Sequence, residues 1–230
     1  MNTQQINKLN KQVRKTNTAF MVASPAEKRV MIAKDALERL KSKKIIASSG
    51  EFVEFGSWET KFAEDYFGSD KWFKQYKGKE FQKILPKLEE CNVCALGGLF
   101  TSQVRLANNC KVTSEELEYS ALDMTDRMKQ MKYFSRKQRA LIELAFEGGN
   151  GYFSWDAHNA DQDPETYGVS EDEYEAAVAF YNKYHDYDKS DEDQDKERLI
   201  DILENIIKNN GTFKLDLNVE CETEKELVAA

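Results

Sequence analysis

Cys91-Asn92-Val93-Cys94-Ala95-Leu96-Gly97-Gly98-Leu99-Phe100 is the least polar window of a polar chain, and its reading decides the fold. Continued through Thr101, Ser102, Val104, Leu106 and Ala107, it predicts a helix over 91–107 that is apolar on most of its circumference. Such a helix is buried, so other elements should pack around it. Ala95, Gly97 and Gly98 remove side-chain bulk and admit a second backbone, at a helix cost of about 1 kcal/mol per glycine relative to alanine.

Working outward, Ser24-Pro25-Ala26-Glu27 reads as a capping box with proline at the first helical position. The helix it opens should run to about Lys43, with Val30, Met31, Ala33, Leu37 and Leu40 inward and its lysines in water. Ile45 to Ser48 and Glu51 to Phe55 flank Ser49-Gly50 and predict a short hairpin. Thr113-Ser114-Glu115-Glu116 opens a helix through Met124, and Ser135-Arg136-Lys137-Gln138 is a second capping box. That box starts a helix with Leu141, Ile142, Leu144, Ala145 and Phe146 inward, stopped by Gly148-Gly149. Ser170-Glu171-Asp172-Glu173 caps a further helix, and Arg198 to Ile207 is a strongly amphipathic last one. Asn210-Gly211 turns the chain into an alternating run, which predicts a strand with Phe213, Leu215, Leu217 and Val219 on one face, sharing a sheet with the hairpin. The expected fold is mainly α with a small β element (α+β). A polar lead occupies 1–20, a single helical globular domain 21–220 and a tail 221–230.

At 230 residues and 40% hydrophobic, with 11% aromatic residues, the chain can bury a core. Its longest apolar run, Val93 to Phe100, is far short of the roughly 20 residues of a membrane span. The polar Met1 to Lys15 stretch lacks an apolar signal region, so a cytoplasmic protein with no membrane partner is expected. A net charge of −8 disfavours nucleic acid as a partner. Basic residues crowd the first 44 positions while acids dominate Asp161 to Glu175 and Asp186 to Glu197, a split that fits self-association into a homo-oligomer, a charged partner, or a solvated surface.

Four stretches carry candidate chemistry. Cys91 and Cys94 form a C-x-x-C at the start of the central helix, where the helix dipole would stabilise a thiolate; they read as structural packing residues, a redox pair or half of a zinc site. Asp156, His158, Asp161 and Asp163 are a set of divalent-metal ligands in a polar loop, and a metal-dependent enzyme would be built there. Asp186, Asp188, Ser190, Glu192 and Glu197 match positions 1, 3, 5, 7 and 12 of a calcium loop, but Asp191 stands where that loop needs glycine. Trp58, Phe62, Tyr66, Phe67, Trp72, Phe73 and Tyr76, interleaved with lysines, read as a protein-binding surface in preference to a base-stacking one. No P-loop, nucleophile elbow or dinucleotide fingerprint is present, so no catalytic residue is assigned and no cofactor is expected unless zinc or another divalent metal binds.

Four blocks carry a resemblance: Ile32-Ala33-Lys34-Asp35-Ala36-Leu37, Cys91-x-Val93-Cys94-Ala95-Leu96-Gly97, Leu141-Ile142-Glu143-Leu144-Ala145-Phe146-Glu147-Gly148, and Arg198 to Ile207 followed by Asn210-Gly211-Thr212-Phe213. In that order they resemble an uncharacterised family of small phage and mobile-element proteins. The resemblance implies a setting, a phage or mobile element, and no activity; a phage-encoded protein would work in the host cell cytoplasm. The expectation is a non-enzymatic accessory protein that binds and inhibits or modulates a host or defence-system protein, or that sequesters a small signalling molecule. The alternatives are the metal-dependent enzyme and a zinc- or thiol-based structural or sensor protein.

Overall fold

The computed structural model describes residues 18–50, 52–55, 74–75, 91–107, 111–112, 131–149 and 163–217. The predicted aromatic surface, the expected helix at 113–124, and Asp156, His158 and Asp161 lie outside these residues.

The protein is mainly α with a small β element. After a helical stretch at 18–22, helix α1 (Pro25–Lys41) starts on the predicted capping box: the Ser24 hydroxyl accepts from Glu27 N–H, and Glu27 Oε2 accepts from Ser24 N–H at 2.8 Å. Its buried face is rotated from the expected stripe. Ile32, Ala33, Ala36, Arg39 and Leu40 are buried, while Met31 and Leu37 are only partly covered. Arg39 is therefore not one of the surface cations; it donates to Thr101 Oγ1 at 2.9 Å and Ser102 Oγ at 3.1 Å in the core.

The window that opens the sequence argument is two elements. Cys91–Val93 is strand β4, and helix α2 (Ala95–Ala107) begins only after Cys94. Three residues alternating in and out, with Cys91 and Val93 buried, satisfy a strand as well as a helix, and they supply the middle of a sheet. Strand β1 (Ile45–Ala47) pairs with β4 in parallel, Ile45 opposite Cys91, and strand β2 (Val53–Phe55) pairs with β4 antiparallel, Val53 opposite Val93. β1 and β2 are thus not the expected hairpin. They are separated by β4, so they lie two inter-strand spacings of about 4.8 Å apart. A second pairing joins β3 (Lys74–Gln75) and β5 (Lys111–Val112), antiparallel.

The predicted run at 212–219 forms no strand over its described part, and it does not join the sheet. Side-chain amides take the place of a neighbouring strand. Gln138 donates to Phe213 O at 3.0 Å and accepts from Phe213 N–H at 2.6 Å, and Asn205 repeats this two-point contact on Lys214 at 2.8 and 2.9 Å. Phe213 is buried, whereas Leu217 faces solvent.

Helix α3 (Arg136–Glu147) starts at Ser135 and ends on Gly148, whose φ of +66° suits a glycine. Its capping box is only half formed, because Gln138 reaches Phe213 instead of turning back to Ser135. A 3-10 helix at Pro164–Tyr167, helix α4 (Glu171–Asn182, with its capping box complete) and helix α5 (Asp191–Lys208) follow. Helix α5 lies along α1 and also meets α3 and β1, while α2 is enclosed by α1, α3 and the sheet. The core joins Phe100, Val104, Ile142, Phe146, Leu199, Ile202 and Ile206. No described helix is long and apolar enough to cross a membrane.

Candidate functional site

Two places on the described surface and interior gather unusual chemistry: a buried ionic cluster under the β1–β2 turn, and an apolar groove beside the start of α1.

The cluster grows from three elements. Helix α3 brings Glu143 and Glu147, one turn apart on its buried side; the first turns of α5 bring Asp195 and Arg198; and the β4–α2 junction brings Cys94. Both carboxylates of the outer pair hold backbone N–H groups of the turn. Asp195 Oδ2 accepts from Ser49 N–H at 2.6 Å, and Glu147 accepts from Gly50 N–H at 3.0 and 3.2 Å through its two oxygens. Arg198 donates to Phe146 O at 2.5 Å and to Asp195 Oδ1 at 3.1 Å, with its guanidinium 4.0 Å from the centroid of the Tyr181 ring. One guanidinium therefore faces two carboxylates out of water. Burial first, then the charge on Asp195, push the Glu147 carboxyl up to about 7, against the pull of the Gly50 N–H and Arg198.

Cys94 corrects the expectation of a thiolate at a helix start. It stands just before α2, its Sγ accepts from Gly97 N–H at 3.4 Å, and its carbonyl accepts from Gly98 N–H at 2.9 Å, so it caps the helix. Burial, reinforced by the nearby Glu147 and Glu143 charges, drives its pKa far above the ordinary thiol value. Cys91, in β4, is also buried and free. The pair thus occupies two different elements, one strand residue and one cap.

The calcium-loop reading fails on geometry. Ser190 is the N-cap of α5 and Asp191 is already helical, so the second half of the template is helix. Gln194 fills the bend before it, donating to Asp186 O and Lys189 O, each at 3.1 Å. Glu197, which would close the loop on the ion, pairs with Lys189 at 2.7 Å. Nor is the acidic Asp186 to Glu197 stretch a solvated surface throughout, since Gln194 and Asp195 are buried. Asp163, from the proposed metal loop, caps the 3-10 helix by accepting from Glu165 N–H at 2.9 Å. Among the described residues, no three His, Cys, Asp or Glu side chains are placed to hold a metal ion.

Sequence reasoning missed Glu143, Glu147, Asp195 and Arg198 as a unit. The signal was present as Glu143 and Glu147 at i, i+4 within an otherwise apolar helix face, and Asp195 and Arg198 at i, i+3 beside Leu199 and Ile202.

The groove is lined by Ala19, Val22, Ala23, Glu27, Val30, Met31 and Asn210, and holds about 470 Å³. Val22, one of its walls, is 82% exposed, and its chain neighbour Met21 is 58% exposed. Its charged lining residue is Glu27, whose carboxylate is engaged by Ser24 and held below its ordinary pKa by those hydrogen bonds. Lys34, exposed, follows Val30 by four residues and so continues the same face of α1.

Compared with family models, with curated proteins and with solved structures, the chain matches none of them.

Proposed function

We propose that the protein is a non-enzymatic accessory protein of a phage or mobile element that works by binding a host or defence-system protein. The observation that carries the binding reading is the exposure of Val22 in the wall of an apolar groove. Large side chains standing in water next to a concave apolar surface are a feature of interaction sites. The surroundings suggest the partner's chemistry: exposed Lys34 continues this face of α1, so an apolar segment flanked by an acidic residue fits it. A phosphate-bearing signalling molecule fits less well, because the charged residue lining the groove is the carboxylate of Glu27. The phage setting rests on the sequence resemblance alone.

The test is affinity capture from host lysate with the full chain, its Val22→Asp variant and a Trp58→Ala, Trp72→Ala variant, quantified by mass spectrometry. One host protein held at fixed stoichiometry by the wild type, and lost with Val22→Asp, supports the groove as the binding face. Loss only with the tryptophan variant moves the interface to the aromatic segment. Stoichiometric metal in native mass spectra, with no protein captured, would overturn the proposal in favour of the metal-dependent enzyme.

A further inference from the structure

We propose that the start of α3 is an anion site, in which the Arg136 and Arg139 guanidiniums together take a phosphate group, free or carried by a small molecule. Arg139 is 7% exposed, and its Nε is sealed from water with no acceptor. Its two terminal nitrogens are not sealed in this way, so the guanidinium looks out through a narrow opening to solvent. Among the described residues nothing accepts a hydrogen bond from it and no carboxylate pairs with it. The other two buried arginines are provided for: Arg39 donates to Thr101 and Ser102, and Arg198 to Phe146 O and Asp195. A cation taken out of water without a partner is costly, and Arg139 is the one of the three that leaves this demand unmet.

The local geometry brings a second guanidinium to the same place. Arg136 and Arg139 stand at i, i+3 on one face of α3, and helical side chains lean back toward the N-terminus, so the Arg139 fork comes up beside Arg136. Arg136 is exposed, with its guanidinium 4.8 Å from the centroid of the Tyr167 ring; stacking steadies the group and leaves its N–H edges open. Burial first, then the like charge of Arg136, hold the Arg139 pKa below the ordinary guanidinium value, and Tyr167 offsets them in part. The helix end adds to the demand, because the first turn of α3 carries no acid and its positive pole favours an anion. Lys137, the third cation of that turn, is already met by Glu173 at 2.7 Å. Two uncompensated guanidiniums call for a charge of about −2, which a phosphate or phosphomonoester carries near neutral pH. Its oxygens can engage both forks, whereas a carboxylate answers one. The site shares no residue with the α1 groove and does not rest on the partner-binding reading.

The experiment is titration of the full chain with inorganic phosphate and with adenosine monophosphate, each against chloride at equal ionic strength, followed by NMR of the arginine Nε–H groups. At least one of the two phosphates should move the Arg136 and Arg139 signals along one saturable curve, and chloride should not. Tighter binding of adenosine monophosphate makes an organic phosphate the ligand; equal or weaker binding makes it free phosphate. Arg136→Gln, an exposed change that spares the core, should weaken binding roughly tenfold to a hundredfold. Arg139→Met should abolish binding and yet unfold no more readily than the wild type in phosphate-free buffer, because no internal partner is stranded. A marked loss of stability in Arg139→Met would mean that the guanidinium serves the core, and would overturn the site. So would responses to both phosphates no larger than the response to chloride, or wild-type affinity in Arg136→Gln.

Discussion

Two adjacent glycines offer the sharpest test of how the central helix is seated. By helix propensity alone, Gly97→Ala and Gly98→Ala should each stabilise α2 by up to about 1 kcal/mol. The surroundings separate them. A Cβ on Gly98 would lie 3.5 Å from Val93 Cγ2 and 3.7 Å from Ile45 Cδ1, which is ordinary contact with the sheet. A Cβ on Gly97 would lie 1.5 Å from the Phe52 carbonyl oxygen and 2.6 Å from its carbon. Relief to an ordinary carbon–oxygen separation of about 3.3 Å needs a retreat of nearly 2 Å. The obstacle is backbone at the start of β2, a strand of three residues fixed on β4. Moving it sacrifices ladder hydrogen bonds at about 1 kcal/mol each and adds overpacking of about 1–3 kcal/mol. Gly97→Ala should therefore lose about 2–4 kcal/mol, and Gly98→Ala should gain up to about 1. Guanidinium unfolding with unchanged m-values measures both. Equal stabilisation by the two substitutions would refute the close approach of α2 to Phe52.

Three further outcomes follow from the polar interior. Glu147 has a folded pKa of about 7, above its ordinary 4.5, so its neutral form is favoured by the fold; the stability this group contributes is fully present below about pH 4.5 and falls by about 3 kcal/mol as pH rises beyond 7. Glu147→Gln should flatten that slope in urea unfolding at a series of pH values, and an unchanged slope would place the titration elsewhere. Gln138→Ala strands the N–H and carbonyl of the buried Phe213 and should cost about 1–3 kcal/mol, with faster exchange of the Phe213 amide; wild-type stability would show that the 212–214 segment is held by other means. Cys94, buried and protonated, should resist iodoacetamide at pH 8 until the chain unfolds, whereas rapid native labelling mapped to Cys94 would contradict its role as a helix cap.

Helix starts were legible because their chemistry is local. Ser24 with Glu27, and Ser170 with Glu173, form reciprocal capping boxes within four residues, and Glu173 keeps its box on Oε2 while Lys137 meets its other oxygen at 2.7 Å. Where a partner lies far along the chain, the local rule misleads. Ser135 still caps α3, but Gln138 is drawn 75 residues away to Phe213, and the same contact removes the expected strand by satisfying the groups a neighbouring strand would have paired. The Cys91–Val93 stretch was ambiguous for a different reason. Three apolar-periodic residues before a helix fit either period, and only the presence of β1 and β2 on both sides makes them a strand. Arg39 and Asp195 were read as surface charges because a sequence shows charge and not burial.

The buried polar groups have a common use that explains why they escaped a catalytic reading. With β1, β2 and β4 only three residues long, turns and extended segments carry backbone groups without ladder partners, and each such group out of water needs one. Asp195 and Glu147 serve Ser49 and Gly50; Gln138 and Asn205 serve Phe213 and Lys214; Arg29 donates to Gly211 O at 2.6 Å and Tyr133 O at 3.1 Å; Arg198 serves Phe146 O. Amides and guanidiniums do this at any physiological pH. A carboxylate does it with a charge that its surroundings must tolerate, and at Glu147 burial outweighs what the Gly50 N–H and Arg198 return. The polar groups that make so small a sheet workable thus place, at Glu147, a site whose protonation the fold itself has brought near neutrality.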